Sequence, residues 1–315
     1  MAKFYEDRDD DKEENHNNSD RNKKDTNQKD EDKNQDSKNN ELIQKEISRL
    51  RRKKVVPLQQ TSHLKDWLER KRKSRQSCRI VGNSRTGKTM ACEAYKLEYK
   101  PRQEIGKPPI VPIIYIHPPQ ECSSRDLLAL IIEGLKYKVV KGTVQEIRKR
   151  TLNILERCQV EMLIIDEADR LKPKTFADVR DISDKSKISV VLVGTDRLNA
   201  VVKRDEQVYN RFRACYEFKI LSIVEFQKTV RLWEKGVLKL PLCVDKIIEN
   251  AEDFEKMSNK DKKARKAMLK LLMSATGGYI GLLDMVLREA AIRALEKGLK
   301  KIDLATLKEV AEEYK

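Results

Sequence analysis

GNSRTGKT, at residues 82–89, decides the fold of this chain. It matches the phosphate-binding pattern G-x-x-x-x-G-K-[S/T] in full, between a short apolar strand and a helix predicted over 88–99. Glycines allow a tight loop whose backbone N–H groups bind phosphate oxygens, and the helix N-terminus adds partial positive charge. The residues expected to contact the phosphates are Gly82, Asn83, Ser84, Arg85, Thr86, Gly87, Lys88 and Thr89.

Two side chains of this loop have specific expected roles. Lys88 should reach the β- and γ-phosphates of ATP, and Thr89 should place its hydroxyl on Mg²⁺. The correct order of strand, loop and helix makes a chance match to the pattern improbable. ATP and Mg²⁺ are therefore the expected ligands.

A pair of acidic residues supplies the second half of a nucleotide site. The apolar run Met162–Ile165 predicts a buried strand, and Asp166 and Glu167 follow it directly. Charge at the carboxyl end of a buried parallel strand lies beside bound phosphates. We expect Asp166 to organise Mg²⁺ and Glu167 to act as the general base for the attacking water. Asp169 is interpreted as a surface or structural carboxylate.

The next predicted strand, over 188–193, also ends in polar residues. Thr195 follows it at a position where a third side chain would face the γ-phosphate and orient water. We assign Thr195 this sensor role. A helix N-cap at Thr195 or Asp196 is an equally good interpretation, and the two roles are compatible.

A basic stretch near residue 210 supplies candidates for an arginine that acts between subunits. Arg211 is the first choice and Arg204 the second, since a guanidinium here would stabilise transition-state charge on the ATP of a neighbouring subunit. The alternative is that both are solvated helix charges. If an arginine acts in trans, nucleotide binding and oligomerisation are coupled.

Strand and helix patterns alternate through the middle of the chain and stop near residue 220. Near-continuous apolar strands, the first downstream one over 110–116, predict an α/β fold with a parallel sheet flanked by helices. A small all-helical domain follows, including a helix over 244–251. The expected boundaries are a disordered charged tail over 1–40, a helical lead-in over 41–75, the nucleotide-binding domain over 76–220 and the helical domain over 221–315.

Charge is distributed unevenly between the tail and the rest of the chain. Residues 1–40 contain 9 Lys/Arg and 13 Asp/Glu, which leaves 58 basic and 38 acidic residues after them. A domain this basic most often binds a polyanion, and nucleic acid is the leading candidate. The six cysteines form neither zinc-binding pairs nor a disulfide scaffold, and no apolar run approaches the ~20 residues that cross a bilayer. We expect a cytoplasmic, DNA-associated protein with no membrane contact.

Five longer runs carry a family resemblance: GNSRTGKT, MLIIDEADRLKPKTFADVRDI, VVLVGTDRL, KRDEQVYNRFR and GGYIGLLDMVLREAAIRAL. Together they resemble the TnsC proteins of type V-K CRISPR-associated transposons, which are relatives of TniB and of the Mu transposition ATPase MuB. The resemblance runs from about residue 50 to residue 315. It implies an AAA+ P-loop fold and a DNA-binding regulator of transposition that forms ATP-dependent helical filaments or rings.

The resemblance also implies partners and DNA contacts. The partners are double-stranded DNA, other copies of the chain, the transposase TnsB, and an RNA-guided CRISPR effector that acts through the adaptor TniQ. The positions that match the family's backbone-gripping residues are Arg125 and Thr143, and Lys141 adds charge beside them. Without the family, Thr143 is a plausible helix cap and Arg125 a solvated charge.

One departure from the AAA+ pattern and two alternative functions remain open. Many AAA+ proteins carry a nucleotide-sensing arginine early in the helix after GGYIG, whereas the nearest here is Arg288, so slow or partner-dependent hydrolysis is expected. One alternative function is an AAA+ motor or helicase loader that acts on DNA. The other is a binding module in which ATP is only a structural ligand, against which the complete pair of nucleotide motifs argues.

Overall fold

The computed structural model describes residues 40–52, 54, 56–138, 141–248 and 250–314. The tail predicted for 1–40 therefore lies outside the described residues, except for Asn40. This residue belongs to a helix over 40–51, named α1 here. A second helix of the lead-in, α2, spans Gln59–Lys73 and begins two residues after Pro57.

A five-stranded parallel sheet in the order β2-β3-β4-β1-β5 forms the centre of the α/β region. Strands β1, β3 and β4 are buried along their whole length, as expected for a parallel sheet that is covered on both faces. The predicted α/β fold is confirmed. The strands are β1 Cys78–Val81, β2 Ile113–Ile116, β3 Met162–Ile165, β4 Ser189–Gly194 and β5 Cys215–Glu217.

Alternation along the strands sends side chains to two separate cores. Ile164 packs on the face covered by α2 and α3, whereas Leu163 packs on the face covered by the helices from α4 onward. Among the described residues, no helix is both long and apolar enough to span a bilayer. The remaining helices of this region are α3 Lys88–Glu98, α4 Ser124–Gly134, α5 Val144–Arg157, α6 Thr175–Ser186, α7 Asp196–Val202 and α8 Glu206–Arg211.

The chain after β5 is helical and has its own core. Leu50 of α1 joins that core, and Arg49 donates hydrogen bonds to the carbonyl oxygens of Val237 and Leu238 at 2.6 and 2.8 Å. The lead-in therefore contacts both regions, α1 the helical core and α2 the sheet. The helices are α9 Ile223–Trp233, α10 Ala251–Glu255, α11 Asn259–Thr276, α12 Ile280–Glu296 and α13 Leu304–Glu312, with a π-helical turn over Glu234–Leu238.

Two predicted elements differ from the structure. The predicted helix over 244–251 is wrong, because residues 244–248 are irregular and α10 begins only at Ala251. Just before this segment, the backbone N–H of Cys243 donates to the carbonyl oxygen of Ile302, so the chain is held in an extended bridge. The strand predicted over 110–116 begins at Ile113, because Pro112 has no N–H to donate to the ladder.

Candidate functional site

The phosphate loop is fixed between the end of β5 and the start of α3. A Cβ at Gly82 would lie 2.3 Å from the carbonyl oxygen of Phe218, so only glycine allows this approach. The ammonium of Lys88 donates to the carbonyl oxygens of Gly82 and Asn83, both at 2.7 Å. Burial lowers the pKa of Lys88 from its ordinary value, and the carboxylate of Asp166 opposes that shift. The loop thus holds one largely buried cation at the edge of the sheet.

The two nucleotide motifs meet at one carboxylate. The hydroxyl of Thr89 donates to Oδ2 of Asp166 at 2.7 Å, and the backbone N–H of Glu167 donates to Oδ1 at 2.8 Å. Tyr115 also donates its phenol to Oδ2, at 2.5 Å. Burial, together with Asp166, raises the pKa of this phenol above its ordinary value. Asp166 is 1% exposed and lines a cleft of about 430 Å³ together with Lys88 and Thr89.

The oxygen atoms in this cleft suit Mg²⁺. Magnesium in nucleotide sites is usually held by one or two carboxylates, a hydroxyl and the substrate phosphates. In the part of the chain that the structure describes, no group of three or more His, Cys, Asp and Glu side chains could hold a metal ion. The pair of Thr89 and Asp166 therefore fits an ion that takes its other ligands from a nucleotide and water.

Glu167 lies in the same cleft but is already paired. Its backbone is left-handed, with φ at 49°, and its side chain lines the cleft. Oε2 forms an ion pair with Arg170 and lies 3.2 Å from Nε2 of His117. Arg170 also lies 3.2 Å from that ring nitrogen. Oε2 is buried and has no hydrogen-bond partner among the described residues, so water reaches this oxygen of the predicted general base only after Arg170 moves aside.

Thr195 also lines this cleft, where its neighbour is Asp169. The Thr195 hydroxyl donates to Oδ2 of Asp169 at 3.2 Å, and both residues line the cleft. Thr195 occupies the N-cap position of α7 without a side-chain capping bond. Asp169 is thus a half-buried carboxylate that holds Thr195, which fits the structural one of its two expected roles, and its place in the cleft was not predicted. The signal available in the sequence was its position three residues after Asp166 in the same short turn.

The remaining loop residues connect the α/β region to α12. Asn83 donates its side-chain amide to the hydroxyl of Tyr279 at 3.1 Å, and Thr86 donates to the carbonyl oxygen of Asn83 at 2.8 Å. The N–H of Gly281 donates to the carbonyl oxygen of Arg85 at 2.9 Å. A Cβ at Gly281 would lie 3.1 Å from that oxygen, so a small residue is needed here. The loop residues Ser84, Arg85 and Gly87 line the cleft.

An apolar cavity of about 330 Å³ adjoins the cleft at the start of α3. Gly87 and Thr89 line both spaces, while Leu58 of the lead-in, Phe218 and Ile280 line the cavity. An apolar space beside a polar phosphate cleft has the arrangement that a nucleotide requires, with the base in one and the phosphates in the other. Sequence reasoning missed this cavity, because its walls come from four segments that are distant from one another in the sequence.

Arg288 lines the apolar cavity and is held by structural contacts. Its Nε donates to Asp284 at 2.7 Å, and Nη1 donates to the carbonyl oxygens of Leu50 and Arg52. Asp284 also accepts a hydrogen bond from the indole of Trp233 at 2.6 Å. Arg288 thus ties α12 to the lead-in.

The two candidate trans-acting arginines are exposed, away from the cleft of their own chain. Arg211 ends α8 and forms an ion pair with Asp184 of α6 at 2.5 Å. Arg204 is exposed in the turn between α7 and α8. The buried guanidinium of Arg79 donates to the carbonyl oxygen of Phe212, which anchors the segment after α8 to β1. The surface that carries both arginines is therefore rigidly connected to the sheet.

The three candidate DNA contacts come together on another surface. The guanidinium of Arg125 in the first turn of α4 donates to the carbonyl oxygen of Gly142 at 2.9 Å. Thr143 is next to Gly142 and caps α5, where its hydroxyl accepts from the N–H of Glu146. Arg125, Lys141 and Thr143 are all exposed. Two helix N-termini and two cations on one surface suit backbone phosphates.

Lys172 belongs near this surface and was not found from the sequence. Its N–H donates to the carbonyl oxygen of Cys122 at 3.1 Å, and the N–H of Cys122 donates to the carbonyl oxygen of Arg170 at 3.0 Å. Cys122 immediately precedes Ser123, the N-cap of α4. The exposed Lys172 is therefore placed beside the start of α4, and the same backbone bridge connects this surface to Arg170 in the cleft.

The chain is similar to one protein family and to several solved structures. The model of the family described as Bacterial TniB protein matches residues 47–220, which is more than half of the chain. The match includes the nucleotide cleft, both exposed arginines and the surface at Arg125. No curated protein matches the chain.

Several solved structures have a similar fold. Cdc6p from Pyrobaculum aerophilum has a TM-score of 0.59 at 16% identity, covering 83% of this chain and 68% of that one. ORC2 from Aeropyrum pernix, as ADPNP–ADP complexes, has a TM-score of 0.59 at 13% identity, covering 84% and 71%. ORC1 from Aeropyrum pernix, in complex with DNA, has a TM-score of 0.55 at 16% identity, covering 81% and 64%. The fold is that of the AAA+ P-loop NTPases.

Proposed function

Because the chain belongs to the bacterial TniB family, we propose that it is a DNA-binding AAA+ ATPase that regulates transposition by ATP-controlled assembly on double-stranded DNA. The observation that carries this proposal is the 2.7 Å hydrogen bond from Thr89 to Asp166. It joins the end of the phosphate loop to the carboxylate after β3, as a nucleotide site with Mg²⁺ requires.

The proposed hydrolysis assigns each side chain of the cleft one task. Lys88 would bind the β- and γ-phosphates, while Thr89 and Asp166 would hold Mg²⁺, which would neutralise charge on the phosphate oxygens. Glu167 accepts the proton of the attacking water once it is released from Arg170. Thr195, supported by Asp169, orients that water. Since the base begins in an ion pair, turnover by the isolated chain is expected to be slow.

Assembly follows from the position of the exposed arginines. Arg211, with Arg204 as the second candidate, would reach the γ-phosphate of a neighbouring subunit and stabilise the transition state there. The Arg211 side chain is half exposed and lies on a surface anchored to β1, which supports a contact between subunits. The proposed product is a homo-oligomer, either a helical filament or a ring, that forms when ATP is bound.

DNA would be held through its backbone. Arg125, Lys141 and Thr143 are exposed together at two helix N-termini, and Lys172 lies beside them. Such contacts position a protein on a duplex without reading its sequence. The excess of basic residues after the tail supports the same proposal. Insertion sites would then be selected by where the oligomer persists.

A more specific role in transposition follows from the resemblance to TnsC proteins of type V-K transposons. In this role an RNA-guided CRISPR effector positions the oligomer through TniQ, the oligomer recruits the transposase TnsB, and hydrolysis drives disassembly. A direct test adds purified TnsB to oligomers on DNA and follows phosphate release and the amount of bound protein. Faster release of phosphate together with loss of bound protein is the expected result, and oligomers that ignore TnsB would remove this part of the proposal.

The main experiment is negative-stain imaging of the full chain with duplex DNA, in the presence of ATP, of a slowly hydrolysed analogue or of no nucleotide. Regular oligomers on DNA are expected with either nucleotide and not without it. Lys88→Ala should abolish them, because the phosphates lose their buried cation. Lys107→Ala, which removes an exposed loop lysine that pairs with Glu104, is the matched control and should assemble normally.

Other outcomes separate the alternatives. Normal assembly by the Lys88→Ala variant would contradict the ATP-switch mechanism. Turnover coupled to strand separation or translocation would instead favour a motor or helicase loader. Assembly that needs ATP but proceeds with no measurable hydrolysis in any condition would make the nucleotide a structural ligand.

A further inference from the structure

Strand β2 carries one polar side chain on the face that packs against α3. Ile113 and Tyr115 share this face by strand alternation, and Ile113 is fully packed in the core under α2 and α3. In the register between strands, Tyr115 lies opposite Ile164 of β3. Two residues after Ile164, and on the same face, the chain reaches Asp166. A long side chain at position 115 can therefore reach diagonally to the carboxylate of the nucleotide site.

The Tyr115 phenol makes this contact. It donates to Oδ2 of Asp166 at 2.5 Å, and the hydroxyl of Thr89 donates to the same oxygen at 2.7 Å. The other oxygen, Oδ1, accepts the N–H of Glu167 at 2.8 Å. Three donors from three different elements thus fix a carboxylate that is almost completely buried.

Packing alone does not account for this hydroxyl. A phenylalanine would fill the same space between β2 and α3, and a buried hydroxyl costs free energy unless it has a partner. Its partner here is the carboxylate that the proposed function assigns to Mg²⁺. Residues that hydrogen-bond a metal-binding carboxylate orient it and tune its affinity for the ion.

We propose that Tyr115 is a positioning residue of the nucleotide site, which fixes the rotation of the Asp166 carboxylate and thereby sets the affinity of the site for Mg²⁺ with nucleotide. The inference rests on the proposed function, since it concerns the same site. Tyr115 touches neither phosphate nor ion in this role. It acts through Asp166, whose Oδ2 accepts one hydrogen bond from Tyr115 and one from Thr89.

The test is Tyr115→Phe in the full chain, with binding of a fluorescent ATP analogue measured over a Mg²⁺ titration and again in EDTA. The Mg²⁺ concentration for half-maximal enhancement of binding should rise about tenfold or more, the usual effect of removing a hydrogen bond to a metal ligand. Binding in EDTA should stay unchanged, because Lys88 and the loop are intact. Tyr95→Phe is the matched control, since Tyr95 is a buried phenol that donates to Glu69 at 3.0 Å, outside the cleft.

Three results would overturn the inference. A Mg²⁺ dependence equal to that of the wild type would show that the phenol does not position Asp166. An equal loss of binding with and without Mg²⁺, together with a lower unfolding temperature, would show a structural role alone. Wild-type protein whose nucleotide binding ignores Mg²⁺ would overturn the proposed function and this inference together, whereas the first two results leave the proposed function intact.

Discussion

Two glutamate–arginine pairs, one in each region of the molecule, have the same chemistry and different surroundings. Glu234 and Arg265 lie in the helical core with side chains 0% and 3% exposed. Glu167 and Arg170 lie in the nucleotide cleft with side chains 39% and 30% exposed. Sequence alone does not distinguish the pairs, because each is simply a carboxylate and a guanidinium.

The difference is in what surrounds each pair. In the core, Oε1 of Glu234 also accepts the N–H of Leu242 at 2.9 Å, and Arg265 donates to the carbonyl oxygen of Leu242 at 3.0 Å. Burial raises the pKa of Glu234, and Arg265 opposes that shift. Water cannot replace either partner there, so this ion pair stays closed in the folded protein and stabilises the helical core. In the cleft, water can replace Arg170 as the partner of Glu167, and a phosphate can replace Glu167 as the partner of Arg170, so that pair can open during function.

The largest expected effect is on the buried pair. Arg265→Ala leaves Glu234 buried without its cation, and we expect a loss of about 3–5 kcal/mol in the free energy of unfolding. Urea denaturation followed by circular dichroism measures it. The control is Arg293→Ala, which breaks exposed pairs of α12 with Glu289 and Glu313 and should cost at most about 1 kcal/mol. Equal costs for the two variants would refute the distinction by burial.

The second effect concerns the carboxylate of the cleft pair. Glu167→Gln cannot accept a proton, so the rate of phosphate release should fall at least about 100-fold while nucleotide binding and DNA assembly persist. Stability should change little, because the side chain is partly exposed. Glu296→Gln, at the end of α12 and outside the cleft, is the control for the loss of one carboxylate. Turnover retained by Glu167→Gln would assign the base to another residue.

The parts of the fold that follow from local pattern were predictable. The loop at 82–89 and the carboxylates after Met162–Ile165 were identified because their chemistry depends on residue type and on position after a strand. The parallel sheet followed from short apolar runs alternating with helices. The helix predicted over 244–251 failed because the chain just before it, at 241–243, is held by backbone bonds to Ile302, and apolar spacing does not reveal such long-range bonds.

Contacts that depend on strand order were not predictable. Tyr115 looks like a core residue until β2 is known to lie beside β3. Arg170 looks like a surface charge until the left-handed backbone of Glu167 brings the two side chains together. Lys172 could not be placed beside the start of α4 until the bridge between Cys122 and Leu171 was known. The sequence shows the residue type at each of these positions, but the tertiary structure decides which residue it contacts.

A third, smaller effect tests whether the cleft pair restrains turnover. Arg170→Gln frees Glu167 from its ion pair, and a partly exposed pair is worth up to about 1 kcal/mol, so DNA-free hydrolysis should rise up to about fivefold. Steady-state phosphate release without DNA measures it. Arg293→Gln supplies the same change of charge outside the cleft and should leave the rate unchanged. A fall in the rate for Arg170→Gln would mean that Arg170 contributes to catalysis rather than restraining the base.

The smallest effect belongs to the pair of Arg211 and Asp184, whose side chains are 48% and 38% exposed. If exposure decides how easily a pair opens, Asp184→Asn should change the free energy of unfolding by less than about 1 kcal/mol. A double-mutant cycle with Arg211→Gln measures the coupling energy of the pair. The same variants should keep the thermal stability of the wild type. A coupling energy near that of the buried pair would show that geometry, and not exposure, decides the strength of ion pairs in this protein. Arg211 would then be a fixed structural residue, unsuited to leaving its own chain for a neighbour's nucleotide.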